Sequence, residues 1–272
     1  MLIVIFSAFS RNAFMKFLHS YIFRKMRLLV QNLSRCISSS RTTSIRFNSS
    51  MFGSQFSSNE NGHSTKKVKS ILHLNASHGN NSLVSVGAQT FLSKLKFEKT
   101  VTELSMFKEA PKIQYSLDHA KAKMYILQGR HSKEDEELFN PVLEAAQMIN
   151  TVDLVLISTP MWNYSVPYPL KQYIDTIVQP GINFCDENQT SLEHLRGRQL
   201  VVFSSAGAVY DDSTNLKDYL NPYLGQVFKL MGFDQQQFVF IEGTSMKSRE
   251  ELVKFTTDNA NTASENINKA FL

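Results

Sequence analysis

VDLVLISTPMWNYSVPYPLKQYIDTI, residues 152–177, runs from an apolar stretch through an aromatic loop into a helical pattern. From Val152 to Ile157 only Asp153 is polar, so the segment has no solvent face. That is the pattern of a parallel strand covered on both sides. Leu170, Tyr173, Ile174 and Ile177 then recur at helical spacing, with Pro167 or Pro169 near the first turn, where a missing N–H is harmless. The loop between them needs an explanation. Pro160, Met161, Trp162, Asn163 and Tyr164 put large side chains where a chain leaving its sheet is ordinarily polar.

The same alternation extends in both directions. Residues 70–75 (SILHLN), 99–104 (KTVTEL), 199–205 (QLVVFSS) and 237–242 (QFVFIE) have strand patterns. Residues 82–96 place Val84, Ala88, Phe91, Leu92 and Leu95 on one helical face. Further helices are expected over 115–128, 134–149, 214–231 (carrying Pro222) and 247–270. Five strands alternating with helices predict a single α/β domain over 70–272 with a parallel sheet. In such a sheet ligands sit beyond the carboxyl ends of the strands, at the switch point. The loops to inspect are therefore 75–82, 159–166 and 205–212.

Charge separates this body from what precedes it. The net charge of +5 resides in residues 1–59, which carry eight basic residues and no acid. Residues 60–272 hold 21 basic against 24 acidic residues, a net of −3, which gives no electrostatic footprint for nucleic acid. Residues 26–50, rich in Arg and Ser and free of acid, have the composition of a mitochondrial transit peptide. Residues 1–50 are accordingly expected to direct the protein to the mitochondrial matrix, and 51–69 to be a Ser/Asn/Gly-rich linker. Met26 and Met51 are alternative starts for a cytosolic form. The apolar start MLIVIFSAF is too short to span a bilayer. Sequons at Asn75, Asn80 and Asn163 fall in the candidate ligand loops, where glycans would block binding, and this argues against secretion. Two cysteines, Cys36 and Cys185, make neither a disulfide framework nor a metal cluster, and no P-loop, HExxH or GxGxxG is present.

Three loops carry the chemistry. Ser77, Asn80, Asn81 and Ser82, spaced by Gly79 and followed by a helix, combine hydroxyls, amides and a helix dipole suited to a phosphate monoester. The same residues also suit an ordinary polar turn capped by Asn81 or Ser82. Pro160 to Tyr164 offers flat apolar area, turn amides and one Asn side chain, which suits a planar hydrogen-bonding heterocycle, or else a hydrophobic plug. In SSAGAV (204–209), Gly207 and Ala208 permit close backbone approach. A phosphate cradle beside a flat-ring platform suggests flavin mononucleotide.

PMWNYSVPYPLKQYIDTIVQPGINF (160–184) resembles the signature of FMN-dependent NADH-azoreductases, the NADH:quinone reductases of flavodoxin-like fold. LNPYLGQVFKLMGF (220–233) and FVFIEG (238–243) are similar to that family's later helix and fifth strand, so the likeness covers roughly 70–271. It implies a three-layer sandwich with strand order 2-1-3-4-5 and helices on both faces. It also implies FMN as cofactor, NADH or NADPH as donor, a quinone or azo acceptor, ping-pong hydride transfer and a homodimer. Ser77, Asn81 and Ser82 would hold the phosphate, Pro160 to Tyr164 the ring, and Ser205, Ala206, Gly207 and Ala208 its pyrimidine end. The chain departs from the family twice: Val84 stands where a second phosphate Ser is usual, and the loop Ser205 to Ala208 lacks the usual Arg. An electron-carrier flavodoxin, an FAD-dependent quinone reductase and a flavin-free interaction protein are the rivals. The first is usually strongly acidic, and the second carries a different aromatic motif after its third strand.

Overall fold

Residues Leu154–Pro160 form a strand, β3, that is buried at all seven positions. It lies at the centre of the sheet, flanked by β1 (Lys69–Asn75) and β4 (Gln199–Ser205). β2 (Lys99–Ser105) and β5 (Gln235–Ile241) take the two edges, and all neighbours run parallel in the order β2-β1-β3-β4-β5. The computed structural model describes residues 68–108, 113–184, 195–211 and 214–272. The expected transit peptide, nearly all of the expected linker and both cysteines lie outside these residues.

Strand alternation sorts the core into two layers. On one face Ile71, Leu154, Leu156, Val201, Phe203 and Ile241 meet α1 (Leu83–Lys94) and the closing helix α6 (Arg249–Phe271) through Val84, Ala88, Phe91, Ala260 and Ile267. α1 sits close because position 87 is Gly; a Cβ there would lie 2.5 Å from the ring of Phe203. On the other face Leu72, Leu74, Val155, Ile157, Leu200 and Val202 meet α4 (Tyr168–Ile177) and α5 (Leu220–Leu230). Between β2 and β3 the chain forms α2 (Leu117–Leu127), α3 (Lys133–Met148) and a 3-10 turn at Ile149–Thr151. Residues 121–136 belong to a second compact unit, in which His131 Nε2 lies 2.7 Å from Glu136 Oε1. Residues 66–120 and 137–272 make the unit that carries the sheet.

The expected fold is the observed one, with one boundary shifted by more than two residues. The helix expected over 214–231 begins only at Leu220. Pro222 has no N–H to donate one turn back and so fits only in a first turn, and the Asp218 carboxylate accepts the first N–H groups, from Leu220 at 2.9 Å and Asn221 at 3.0 Å.

The strand order fixes where a ligand belongs. After β1 the chain leaves towards the α1 face, whereas after β3 it leaves towards the α4 face. That divergence opens a crevice at the carboxyl ends of β1 and β3. β3 and β4 also extend further than β1: Asn75, the last residue of β1, pairs with Ser158, while β3 continues to Pro160 opposite Ser205.

Candidate functional site

The loop after β1 is built by hydroxyl groups. Asn75 Oδ1 accepts from the backbone N–H of Ser77 at 3.0 Å and from its hydroxyl at 2.6 Å, folding the chain back at the strand end. Ser82 caps α1: its Oγ accepts from Ser85 N–H at 3.2 Å. Both hydroxyls converge on Ser85, whose Oγ lies 2.7 Å from Ser77 Oγ and 3.0 Å from Ser82 Oγ. Asn81 is exposed, and its carbonyl accepts from Arg249 Nη2 at 2.6 Å, so the first residue of α6 brings a guanidinium to this loop. Val84, which stands in place of a second phosphate Ser, is buried in the core beneath α1.

The loop after β3 is a hairpin turn. Trp162 and Ser165 exchange both backbone hydrogen bonds, at 2.9 and 3.0 Å. The two residues between them have left-handed backbone, Asn163 at φ 49° and Tyr164 at φ 64°. Positive φ at both central positions defines a type I′ turn. Asn tolerates that conformation, but an aromatic residue there is uncommon and carries strain. The turn leaves Trp162 40% and Tyr164 45% exposed. Met161 behaves differently. Its N–H donates to Ser205 O at 2.7 Å and its side chain packs on the α4/α5 side of the core. Pro160 is buried as the last residue of β3. Of the five residues singled out in this segment, the structure presents Trp162, Asn163 and Tyr164 at the surface and uses Pro160 and Met161 to anchor them.

The loop after β4 is tied to the residues after β5. Ala206 N–H donates to Ile241 O at 3.0 Å, Thr244 N–H to Ala206 O at 3.0 Å, Ser245 N–H to Gly207 O at 3.2 Å and Gly243 N–H to Ala208 O at 2.9 Å. Ala206 is buried and Gly207 is exposed. A Cβ on Gly207 would lie 2.9 Å from Ser245 Oγ, a contact that rotation of that one hydroxyl would relieve.

Aromatic contacts join the three loops. Trp162 meets His78 of the first loop, with centroids 6.2 Å apart and rings nearly perpendicular, and it meets Phe107 at 5.5 Å. Tyr164 contacts Tyr210 at 6.1 Å and Tyr219 at 6.2 Å. A cleft of about 620 Å³ opens on the α4 side of the turn, between Trp162, Asn163, Tyr168, Lys171 and Tyr115. Lys171 Nζ is held by Asp175 at 2.7 Å.

These residues fit a flavin mononucleotide. Hydroxyl donors gather at the start of a twelve-residue helix, and the space above Gly79 is open, with nothing within 4 Å of where a Cβ would stand. The turn's own hydrogen bonds use only Trp162 and Ser165, so the amides of Asn163 and Tyr164 are not spent on closing it. Phosphate-binding groups and flat aromatic area thus share one sheet edge. Sequence inspection missed Ser85, although a hydroxyl three residues beyond a helix cap lies on the same face one turn on. Tyr210 lies in the loop 205–212, which the sequence points to; Phe107, Tyr219 and Arg249 are brought in by the fold alone.

The flavodoxin-like fold family matches residues 69–261. The FMN-dependent NADH:quinone oxidoreductase 1 of Bradyrhizobium diazoefficiens is 29% identical over 187 residues, covering 64% of this chain and 87% of that protein. The FMN-dependent NADH:quinone oxidoreductase of Beijerinckia indica subsp. indica is 30% identical over 141 residues, covering 50% of this chain and 68% of that one. Among solved structures, an FMN-dependent NADH-azoreductase from Bacillus anthracis in complex with FMN superposes with a TM-score of 0.62 at 19% identity, covering 74% of this chain and 99% of that one. At that identity the superposition shows the fold. The chain therefore belongs to the flavodoxin-like fold family, among the FMN-dependent NADH:quinone oxidoreductases.

Proposed function

We propose that the protein is an FMN-dependent NAD(P)H oxidoreductase that reduces quinones and azo compounds, with donor and acceptor binding in turn at one site. The observation that carries this reading is the type I′ turn at Asn163 and Tyr164, which holds two aromatic side chains outside the core beside a hydroxyl-lined loop. The relatives named above are NADH:quinone oxidoreductases, which supports NADH as donor and a quinone as acceptor.

Bound FMN supplies the redox chemistry, accepting and donating a hydride at its ring. The chain's own residues bind and orient. Asn81 and Ser82, with the first amides of α1, would hold the phosphate above the turn that Ser77 closes on Asn75, and Arg249 would offset its charge. The amides of Asn163 and Tyr164 and the 205–208 backbone would address the polar edge of the ring as fixed dipoles. Trp162 and Tyr164 would exclude water from its flanks, and the cleft beside α4 would receive donor and acceptor in succession.

The acid-free, Arg- and Ser-rich residues 1–50 support a mitochondrial address, and family likeness supports a homodimer. The deciding experiment uses purified full-length protein. Flavin absorbance near one equivalent, FMN fluorescence after acid release, and NADH oxidation that requires a quinone are expected. Protein that is colourless and takes up no added FMN overturns the reading. A reporter fused to residues 1–60 tests the address separately, and diffuse cytosolic signal would remove it.

A further inference from the structure

Glu103, on edge strand β2, lies outside the three loops, yet a chain of polar contacts runs from it into the first of them. Its Oε1 accepts from Asn75 Nδ2 at 2.8 Å, and its Oε2 lies 3.2 Å from His73 Nδ1. His73 is buried in β1, and its Nε2 lies 2.8 Å from Ser158 Oγ on β3. Burial lowers the His73 pKa despite the nearby carboxylate, so the ring is neutral at pH 7. With Nδ1–H donating to Glu103 and Nε2 accepting from the Ser158 hydroxyl, each ring nitrogen is satisfied.

The orientation of the Asn75 amide follows from its two neighbours. A backbone N–H can only donate, so the atom facing Ser77 N–H is the amide oxygen; an ionised carboxylate can only accept, so the atom facing Glu103 is the amide nitrogen. Glu103 therefore sets the sense of the amide. The oxygen, pointed into the loop, receives both donors of Ser77, and Ser85 Oγ completes the line at 2.7 Å from Ser77 Oγ. With the amide reversed, two donors would face each other at Ser77 and the turn would lose its closing bonds.

We infer that Glu103 is a positioning residue for the phosphate loop: acting through Asn75, it holds the turn that Ser77 closes, and so places the start of α1 where it receives the cofactor's phosphate. This inference rests on the FMN reading above. It predicts an effect on phosphate recognition and none on the ring.

The test titrates full-length apoprotein with FMN and, separately, with riboflavin, which lacks the phosphate. Glu103→Ala is expected to weaken FMN about tenfold, the scale of one misplaced hydrogen bond to a charged group, and to leave riboflavin unchanged. Glu103→Gln is expected to stay near wild type, because its amide oxygen still accepts from Asn75 and the His73 tautomer can switch. Asn75→Ala should lose as much as Glu103→Ala, and the double variant no more than either, since both act through one contact. Three outcomes would overturn the inference: unaltered FMN affinity in Glu103→Ala, equal losses for FMN and riboflavin, or losses that multiply in the double variant. Should Glu103→Ala not fold, Asn75→Ala against the two flavins decides the same question. Wild-type apoprotein that binds no FMN removes the flavin reading itself, and the inference with it, which is a different failure from a wild type that binds and variants that match it.

Discussion

Trp162 and Ser165 exchange both of their backbone hydrogen bonds across two residues, Asn163 and Tyr164, that lie in the left-handed region. An L residue there costs roughly 1–2 kcal/mol relative to right-handed backbone, a penalty glycine escapes. Tyr164→Ala keeps that strain and loses the contacts with Tyr210 and Tyr219, whereas Tyr164→Gly loses the same contacts and relieves the strain. The glycine variant should therefore be more stable than the alanine variant by about 1 kcal/mol in denaturant unfolding of the flavin-free protein. Both should turn over quinone more slowly than wild type. An alanine variant equal to or above the glycine variant would show that the turn is unstrained.

Tyr173 of α4 is buried against the core, and its hydroxyl has no hydrogen-bond partner among the described residues. Burial accordingly pushes the phenol well above its usual range. Tyr173→Phe removes a buried hydroxyl that carries a desolvation penalty and keeps the ring that fills the space. The variant should be as stable as wild type or more stable by about 1 kcal/mol. A loss of more than about 1 kcal/mol would mean that the hydroxyl has a partner in the folded protein.

The sheet was legible because β3 is apolar from Leu154 to Ile157 and the flanking helices keep a clean period. Both signals are local. The start of α5 was not, because Asp218 and Pro222 set it through hydrogen bonding and ring geometry that a hydrophobic period does not register. The aromatic loop announced itself by composition, but composition did not separate Met161, which faces the core, from Trp162, which faces out. His73 has the appearance of a stray polar residue in an apolar strand; only the pairing of β1 with β2 and β3 puts Glu103 and Ser158 beside it. Arg249 reaches Asn81 from 168 positions away, a proximity no sequence window contains.

His73 gives stability a dependence on pH whose sign can be worked out. Its folded pKa lies below the ordinary 6.5 because burial outweighs Glu103. Between the folded value and 6.5 the unfolded chain therefore binds more protons than the folded one, and unfolding free energy rises with pH. The contribution of His73 is complete above about pH 6.5 and is lost as pH falls below it. His73→Gln should flatten the melting-temperature profile below about pH 6.5 relative to wild type. Parallel profiles for the two proteins would assign the acid sensitivity to other groups.

Ser82 has two roles that one substitution can separate. Its Oγ caps α1 through Ser85 N–H, and it belongs to the hydroxyl group proposed to hold the cofactor phosphate. Aspartate caps a helix as well as serine does and adds a charge that suits a helix N-terminus. Ser82→Asp should therefore leave the flavin-free protein within about 0.5 kcal/mol of wild type, whereas Ser82→Ala should lose about 1 kcal/mol with the cap. Cofactor binding should follow another order. Aspartate places a carboxylate where a dianionic phosphate would sit, so Ser82→Asp should weaken FMN more than Ser82→Ala does, by tenfold or more at low ionic strength. Added salt should narrow that gap, because the extra loss is repulsion between partly exposed charges. Riboflavin, which carries no phosphate, should bind the two variants alike. If Ser82→Asp retains FMN as well as wild type does, the phosphate does not lie at the start of α1, and Ser77, Asn81 and Ser82 are an ordinary helix entry.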